Sequence, residues 1–372
     1  MRLLAFELKK IIFSKKFWYV MVGLVLAIAF LFFKNILFES YIQKEARQKV
    51  DELLEISYGN SRVHNAILKD DPENEEEQER LLINSSMVNT LYEMRSMIES
   101  DDWQSKLALE NQYLNRLIEY KETEGEHPLT FREIHHMIAL NEKLIAENIP
   151  PEHETFSIAL PNFMKQLVDL YVNLGAVLIV VLLVGDILAS EFENRSANLL
   201  FTQPLKRTHI ITSKFLSSII VYLLTTFVMF IAAYFIGLFF GEKGTFEYPL
   251  IAEKNEVVGF MTISEYMTLS LLVTTVTVVL IISLCLLFSL LFKNILPTLF
   301  ALLVILVLGY FLTVFVSWNP LAWFNPFQYL LPEEIILFQN GNVWYQGIPI
   351  IIVLTLVLYL VARQMVKTSK VE

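Results

Sequence analysis

Apolar residues along this chain gather into six long runs, at 17–33, 170–188, 215–240, 267–292, 295–316 and 346–365. Runs near or above the roughly 18 residues that a bilayer-crossing helix requires predict transmembrane helices. The first is the shortest, about 26 Å at 1.5 Å per residue, just under the ~30 Å hydrocarbon thickness. No small-residue cleavage site follows it in "FLFFKNILFES", so an uncleaved anchor is expected rather than a signal peptide.

Between the first two runs the pattern changes from continuous to periodic. Met87, Leu91, Met94 and Ile98 recur at helical spacing, as do Ile42, Ala46, Val50 and Leu53. Leu107, Leu114 and Leu117 fit a third helix, and Ile134, Ile138 and Ile145 a fourth. "KDDPENEEE", "ETEGEHP" and "ENIPPEHE" supply the breaks. Residues 34–166 therefore predict a solvated helical hairpin or small bundle standing on the membrane. The short segments at 241–266 and 317–345 are expected to be loops. The second carries Trp318, Trp323, Phe324, Phe327, Tyr329, Trp344 and Tyr345, which suit a membrane interface, with short re-entrant or surface helices.

Charge orients this plan. Lys and Arg in short flanks mark the cytosolic side. With the N-terminus inside, thirteen lie in the segments 1–16, 189–214, 293–294 and 366–372 with their margins, against only Lys243 and Lys254 in the two short external loops. Both termini are expected in the cytosol, with 34–166 outside. That insertion holds 26 acidic and 14 basic residues, a net of −12 in a chain of net −10. The fold class predicted is an all-α polytopic membrane protein, six transmembrane helices with a helical extracytoplasmic domain between the first and second spans. The chain is 55% hydrophobic, and no basic footprint for nucleic acid appears. Cys285 is the sole cysteine, so no intrachain disulfide or thiolate metal site can form.

Catalytic readings find little support. His153-Glu154 begins an HExxH pattern, but Ser157 stands where the second histidine belongs. His135 and His136 are adjacent and leave a helix on different sides, so no metal site is expected. Gly185-Asp186 lacks the preceding glycine of an intramembrane aspartyl protease, Leu183 standing in its place. There is no GxSxG, and no GxxxxGK[ST] loop to cradle ATP phosphates. Asn173 and Asp186 are the intramembrane polar candidates, Asp186 in the last turn before the cytosol. Thr274, Thr275 and Thr277 suit helix–helix hydrogen bonding.

Two stretches flank the spans with mixed character. In "MRLLAFELKKIIFSKKFW", Leu4, Leu8, Ile11 and Ile12 share a stripe while Lys9, Lys10, Lys15 and Lys16 lie largely off it. This predicts an interfacial helix turning into the first span near Phe17. In "SEFENRSANLLFTQPLKRTHIITSKF", Ser190 and Glu193 read as a capping box starting a helix at Glu191. Phe192, Ser196, Leu199 and Leu200 would share its face, Pro204 would end it, and Thr208 would cap the next helix. A charged yet half-apolar element held at the membrane surface fits a docking site for another protein.

These features resemble the ABC-2-type exporter permeases, the membrane subunits of bacterial ABC transporters. The resemblance rests on the Lys-rich leader, the long insertion after the first span, and Glu191, Glu193, Leu199, Leu200, Pro204, Arg207 and Lys214 in the segment just quoted. Ser196-Ala197-Asn198 departs from the Gly-Thr usual in that family. It implies that Glu191, Phe192, Glu193, Leu199, Leu200, Pro204 and Arg207 form a coupling segment docked in a cytosolic ABC ATPase. It further implies Mg-ATP on that partner with no cofactor in this chain, and a second permease copy or paralogue alongside. A large external domain in this position is similar to that of permeases exporting peptide antibiotics. The same features leave open a membrane-anchored extracytoplasmic binding or immunity protein that sequesters a ligand without transport.

Overall fold

The computed structural model describes residues 2–196, 206–254, 257–315, 324–339 and 344–368. Helix α1 (Arg2–Ile12) ends at Phe13, and α2 (Lys15–Asp70) begins immediately after it. Ser14 makes this joint. Its hydroxyl donates to the Ile11 carbonyl at 2.7 Å and accepts from the Phe17 amide at 3.1 Å, so one side chain closes one helix and caps the next.

Helix α2 does not stop at residue 33. It has 56 residues, so at 1.5 Å per residue it is about 84 Å long, far more than a bilayer needs. No proline occurs before Pro72, and a buried stripe continues from Phe17, Met21 and Ile28 through Phe32 and Asn35 to Val50 and Leu54. One rod thus serves as both span and first helix of the insertion. Helix α3 (Glu75–Met97) packs on its distal half, α4 (Trp103–Glu122) on α3, and α5 (Phe131–Glu147) on α4. Each start is capped by side-chain oxygen: Asn74, Asp102 and, in a full capping box with Glu133, Thr130. The insertion has its own core of Val50, Leu54, Met87, Leu91, Tyr113, Leu114, Leu117, Tyr120 and Ile134.

The second span runs Leu160–Glu193 but is not one regular helix. It comprises α6 (Leu160–Leu170), a π-helical segment Tyr171–Gly175, α7 (Ala176–Val184) and the short α8 (Ala189–Glu193). Within the π segment Asn173 (φ −82°, ψ 80°) and Leu174 (φ 75°) leave helical geometry. Gly175 permits this, because a Cβ there would lie 2.5 Å from the Leu170 carbonyl oxygen. The remaining spans are α9 (Arg207–Phe240), α10 (Ile263–Phe292), α11 (Ile295–Phe315) and α13 (Ile348–Thr368). Six helices among the described residues are long and apolar enough to cross a membrane. Helix α10 is the central one: 67% of its most apolar stretch is buried, against 17% for α11 and 11% for α13, which keep broad apolar faces exposed.

The segment expected as a loop at 241–266 instead holds a hairpin. Strands β1 (Pro249–Lys254) and β2 (Val257–Thr262) pair antiparallel from Pro249↔Thr262 to Lys254↔Val257. The two-residue β3 (Phe338–Gln339), following α12 (Pro332–Leu337), adds parallel to β1. Thr262 ends β2 and caps α10 in a capping box with Glu265, so hairpin and span are set rigidly end to end.

Some local expectations give way. Ser190 caps nothing: α8 starts at Ala189, and the Ser190 hydroxyl turns back to the Ile187 carbonyl. Thr208 lies inside α9 rather than at its cap, with its carbonyl accepting from the Thr212 hydroxyl at 2.9 Å. Tyr329 sits in the core instead of at an interface, donating to the Trp344 carbonyl at 2.8 Å and accepting from the Gly347 amide at 2.9 Å. Trp318 and Trp323 lie outside the described residues.

Candidate functional site

At the end of the bundle where α1, α8 and the start of α9 meet, charge is gathered inside the protein. Lys214, about two turns into α9, is fully buried. Its ammonium lies 2.6 Å from Glu191 Oε1 on α8 and 3.1 Å from both carboxylate oxygens of Glu7 on α1. Glu191 Oε1 also accepts from the half-exposed Lys10 at 2.7 Å. Two carboxylates and two ammoniums balance, and the three buried members come from three separate elements. A buried ion set of this kind adds little net stability, but removing one member leaves an uncompensated charge at about 3–5 kcal/mol.

Two further contacts extend the junction. Lys16, in the first turn of α2, pairs with Asp186 at 2.8 Å, both partly exposed. Glu193 Oε2 accepts from the Ile295 amide at 3.2 Å, meeting the first turn of α11, where backbone N–H groups lack intrahelical partners. The leader, the end of the second span, the start of the third and the start of the fifth are therefore joined by side chains across 7–295.

Of the residues expected to form a coupling segment, Glu191 is turned inward and buried rather than presented outward. Phe192 is half-buried against the main core, and Glu193 is exposed apart from its contact with α11. Arg207 opens α9. Leu199, Leu200 and Pro204 lie outside the described residues. Asp186 and Asn173 are not brought together: Asn173 lies in the π segment near the middle of the second span, and Asp186 follows the end of α7.

Asn173 belongs to a second polar group at the insertion end. Its amide donates to Glu333 on α12 at 2.8 Å, while its own oxygen is buried without a partner. One to three turns away on α6, Lys165 pairs with Asp169 at 2.9 Å, and Asp169 accepts from Tyr266 of α10 at 2.7 Å. The helix break at 171–175 thus sits beside the junction of α6, α10 and α12. Breaks of this type inside spans expose backbone groups that must be satisfied by protein or water, and they recur at binding sites.

Sequence reasoning missed Glu7 and the pairing of Lys10, Lys16 and Lys214. One signal was visible: Glu7 is the only acid in a leader with five basic residues. Glu333, Asp169 and Lys165 carried no comparable mark. The histidines take separate partners. His153 lies 3.4 Å from Glu45, His136 3.7 Å from Glu253, and His135 Nδ1 is 2.6 Å from the Phe131 carbonyl.

Six apolar helices, a long insertion after the first and an internally paired charge junction define a multi-pass membrane protein of the transporter type. A family model described as ABC-2 family transporter protein matches residues 1–366, and the chain belongs to that family. It is accordingly the membrane subunit, the permease, of an ABC-type transport system, and the family implies association with an ABC ATPase. No curated protein and no solved structure matches the chain.

Proposed function

We propose that this permease serves an exporter moving amphipathic peptides or related antimicrobial compounds outward, powered by Mg-ATP hydrolysis on separate cytosolic ATPase subunits. In this reading the junction of α1, α8 and α9 is cytosolic and the insertion extracytoplasmic, in a bacterial plasma membrane with both termini inside. The thirteen-to-two distribution of Lys and Arg between short flanks supports that orientation.

The observation that carries the coupling role is the buried Glu7–Lys214–Glu191 set. An ATPase bearing on residues 189–214 would meet a segment locked through Glu191 to the leader and to the third span. None of the three can shift alone without parting a buried charge from its partner. A push there is delivered to several helices at once, which is what a coupling element needs. The exposed apolar faces of α11 and α13, including Leu303, Val307, Val353 and Leu356, are available to lipid and to a second permease copy or paralogue.

For the substrate, the net −12 of the insertion would draw cationic peptides over a Debye length of about 10 Å at 0.1 M salt. The methionines Met87 and Met94 offer little adaptable surface for such a ligand, since Met87 is buried in the insertion core and Met94 packs partly against it. The test has two parts. The tagged permease is purified from its own membrane and bound proteins identified by mass spectrometry, beside a Leu199→Asp variant. An ABC ATPase retained by the wild type and lost from the variant supports the docking segment. Cells carrying the permease with that ATPase should then tolerate more of a cationic amphipathic peptide. Retention of the ATPase by the variant with full stimulated hydrolysis refutes the docking role. Absence of any ATPase together with raised tolerance leaves the sequestering protein as the reading.

A further inference from the structure

Where α5, α6, the β1 strand and α12 converge at the insertion end, the protein forms a partly open chamber of about 320 Å³. Three carboxylates line it: Glu152 and Glu154 from the chain entering α6, and Glu333 from α12. A larger cavity of about 550 Å³ adjoins it, sharing Glu152, Asn162 and Tyr248 and bordered by Lys243. The opposite wall of the chamber is apolar, with Leu140, Leu250, Ile251, Leu337 and Phe338.

The cations near these acids are committed elsewhere. Lys165 pairs with Asp169 at 2.9 Å, and His136 lies 3.7 Å from Glu253, which also takes Arg132. Glu152 accepts only the Ser157 hydroxyl, at 2.6 Å, and Glu333 only the Asn173 amide, at 2.8 Å, among the described residues. Burial pushes both carboxyls up from their usual range; Glu242 adds to this at Glu152 and Asp169 and Glu154 at Glu333, while the Ser157 bond on the first and the Asn173 bond and the Lys165 charge on the second offset part of it. Such groups gain most when a cation arrives.

An independent sign comes from Asn162, in the first turn of α6. It is 9% exposed and lines both cavities, yet its side-chain amide has no hydrogen-bond partner among the described residues. An amide on a cavity wall with no protein partner leaves its oxygen open to a donor on a bound molecule. The same region offers no metal site, since among the described residues no three His, Cys, Asp or Glu side chains converge on one point. An organic cation suits the chamber, with hydrogens to donate and a body to lay on the apolar wall.

We propose that this chamber binds a protonated amine carried on an apolar body, its ammonium drawn to the acidic wall of Glu152, Glu154 and Glu333 and donating to the Asn162 amide oxygen. The body lies against Leu250, Ile251 and Leu337. Through Glu333 the occupied chamber touches Asn173, so the ligand reports directly to the break in the second span. The inference rests on the export reading only for the purpose of the site; the binding itself stands without it.

The experiment uses the full-length permease in dodecyl maltoside, with no ATPase present, so the outcome is independent of whether export occurs. A fluorescently tagged hexylamine is compared with the matching tagged hexanol by polarisation. The amine should bind about tenfold or more tighter, as charge-assisted hydrogen bonds exceed neutral ones. Glu152→Gln and Glu333→Gln should each weaken the amine about tenfold and leave the alcohol unchanged, by the same argument. Asn162→Asp, nearly isosteric, should tighten it, which guards against losses that merely reflect misfolding. Competition by short-chain phosphatidylethanolamine would show a lipid-borne ammonium, and its failure a soluble amine; either supports the site. Equal affinity for amine and alcohol, or an amine affinity untouched in both Gln variants, overturns it.

Discussion

Replacing Lys214 by Met tests the central claim about the charge junction. Methionine is close to lysine in length, so packing around the stem is largely retained and the change is mainly one of charge. In the wild type the ammonium is fully buried, 2.6 Å from Glu191 and 3.1 Å from both oxygens of Glu7. Its loss leaves two buried carboxylates and one half-exposed ammonium, Lys10, which reaches only Glu191. Glu7 is then buried without a countercharge, so the cost falls near the 3–5 kcal/mol for breaking a buried pair. For a chain of this size that corresponds to a melting shift of about 4–6 °C. Glu7→Gln leaves Lys214 with Glu191 and should cost less. The double variant Glu7→Gln with Lys214→Met should recover part of the loss, because neither partner is then stranded. Thermal unfolding of the purified permease in one detergent reads all four proteins. A Lys214→Met protein melting within about 1 °C of wild type, or a double variant showing simple additivity, would refute the argument.

Topology is checked by cysteine labelling on a Cys285→Ser background: an impermeant thiol reagent on intact cells should modify a cysteine at Ser100 and spare one at Ser196. The Lys16–Asp186 pair is partly exposed on both sides, so Asp186→Asn should cost no more than about 1 kcal/mol and leave the melting curve nearly unmoved. Acid should loosen the insertion, because burial first and Lys121 second lower His127 from 6.5 to about 4. Between those values the unfolded chain takes a proton that the folded histidine refuses, so stability present above pH 6.5 is lost as pH falls towards 4. His127→Gln should flatten that part of the pH profile of unfolding, while leaving any further loss that arises when Glu77 protonates below its ordinary 4.5.

What was legible in the sequence is what depends on neighbours along the chain. Six spans, the helical insertion and the breaks at Pro72 and Gly125 follow from period and punctuation, which are local properties. The family resemblance also came from ordered local features, the leader, the insertion and the segment at 190–215. The length of α2 escaped because periodicity changes face without changing type. The apolar run ends near Phe33 and an amphipathic stripe begins at once, with no breaker to separate span from bundle. The hairpin at 249–262 escaped because "PLIAEKNEVVGFMT" is short and its partner strand at Phe338 lies far away in sequence.

The functional groups were hidden by the same physics. Glu191 looked like a surface acid because the two cations that bury it sit at positions 10 and 214, and nothing in a local window signals that three helix ends will meet. Lys214 looked like a positive flank of the third span; its depth comes from α1 lying across it, a tertiary fact. Asn173 was noticed only as a polar residue among apolar ones. Its role depends on a helix break whose sequence cause, Gly175, is indistinguishable from any glycine within a span until Leu170 is placed 2.5 Å from where a Cβ would be. Charge in a membrane protein is costly wherever it is unpaired, so polar residues in or beside spans are best sought in sets that neutralise one another. Here that rule joins Glu7 to Lys214 at one end, while at the other Glu152 and Glu333 have no ion-pair partner among the described residues. The first set neutralises itself and joins helix ends, whereas the second holds more acids than cations, the imbalance that the proposed amine would relieve.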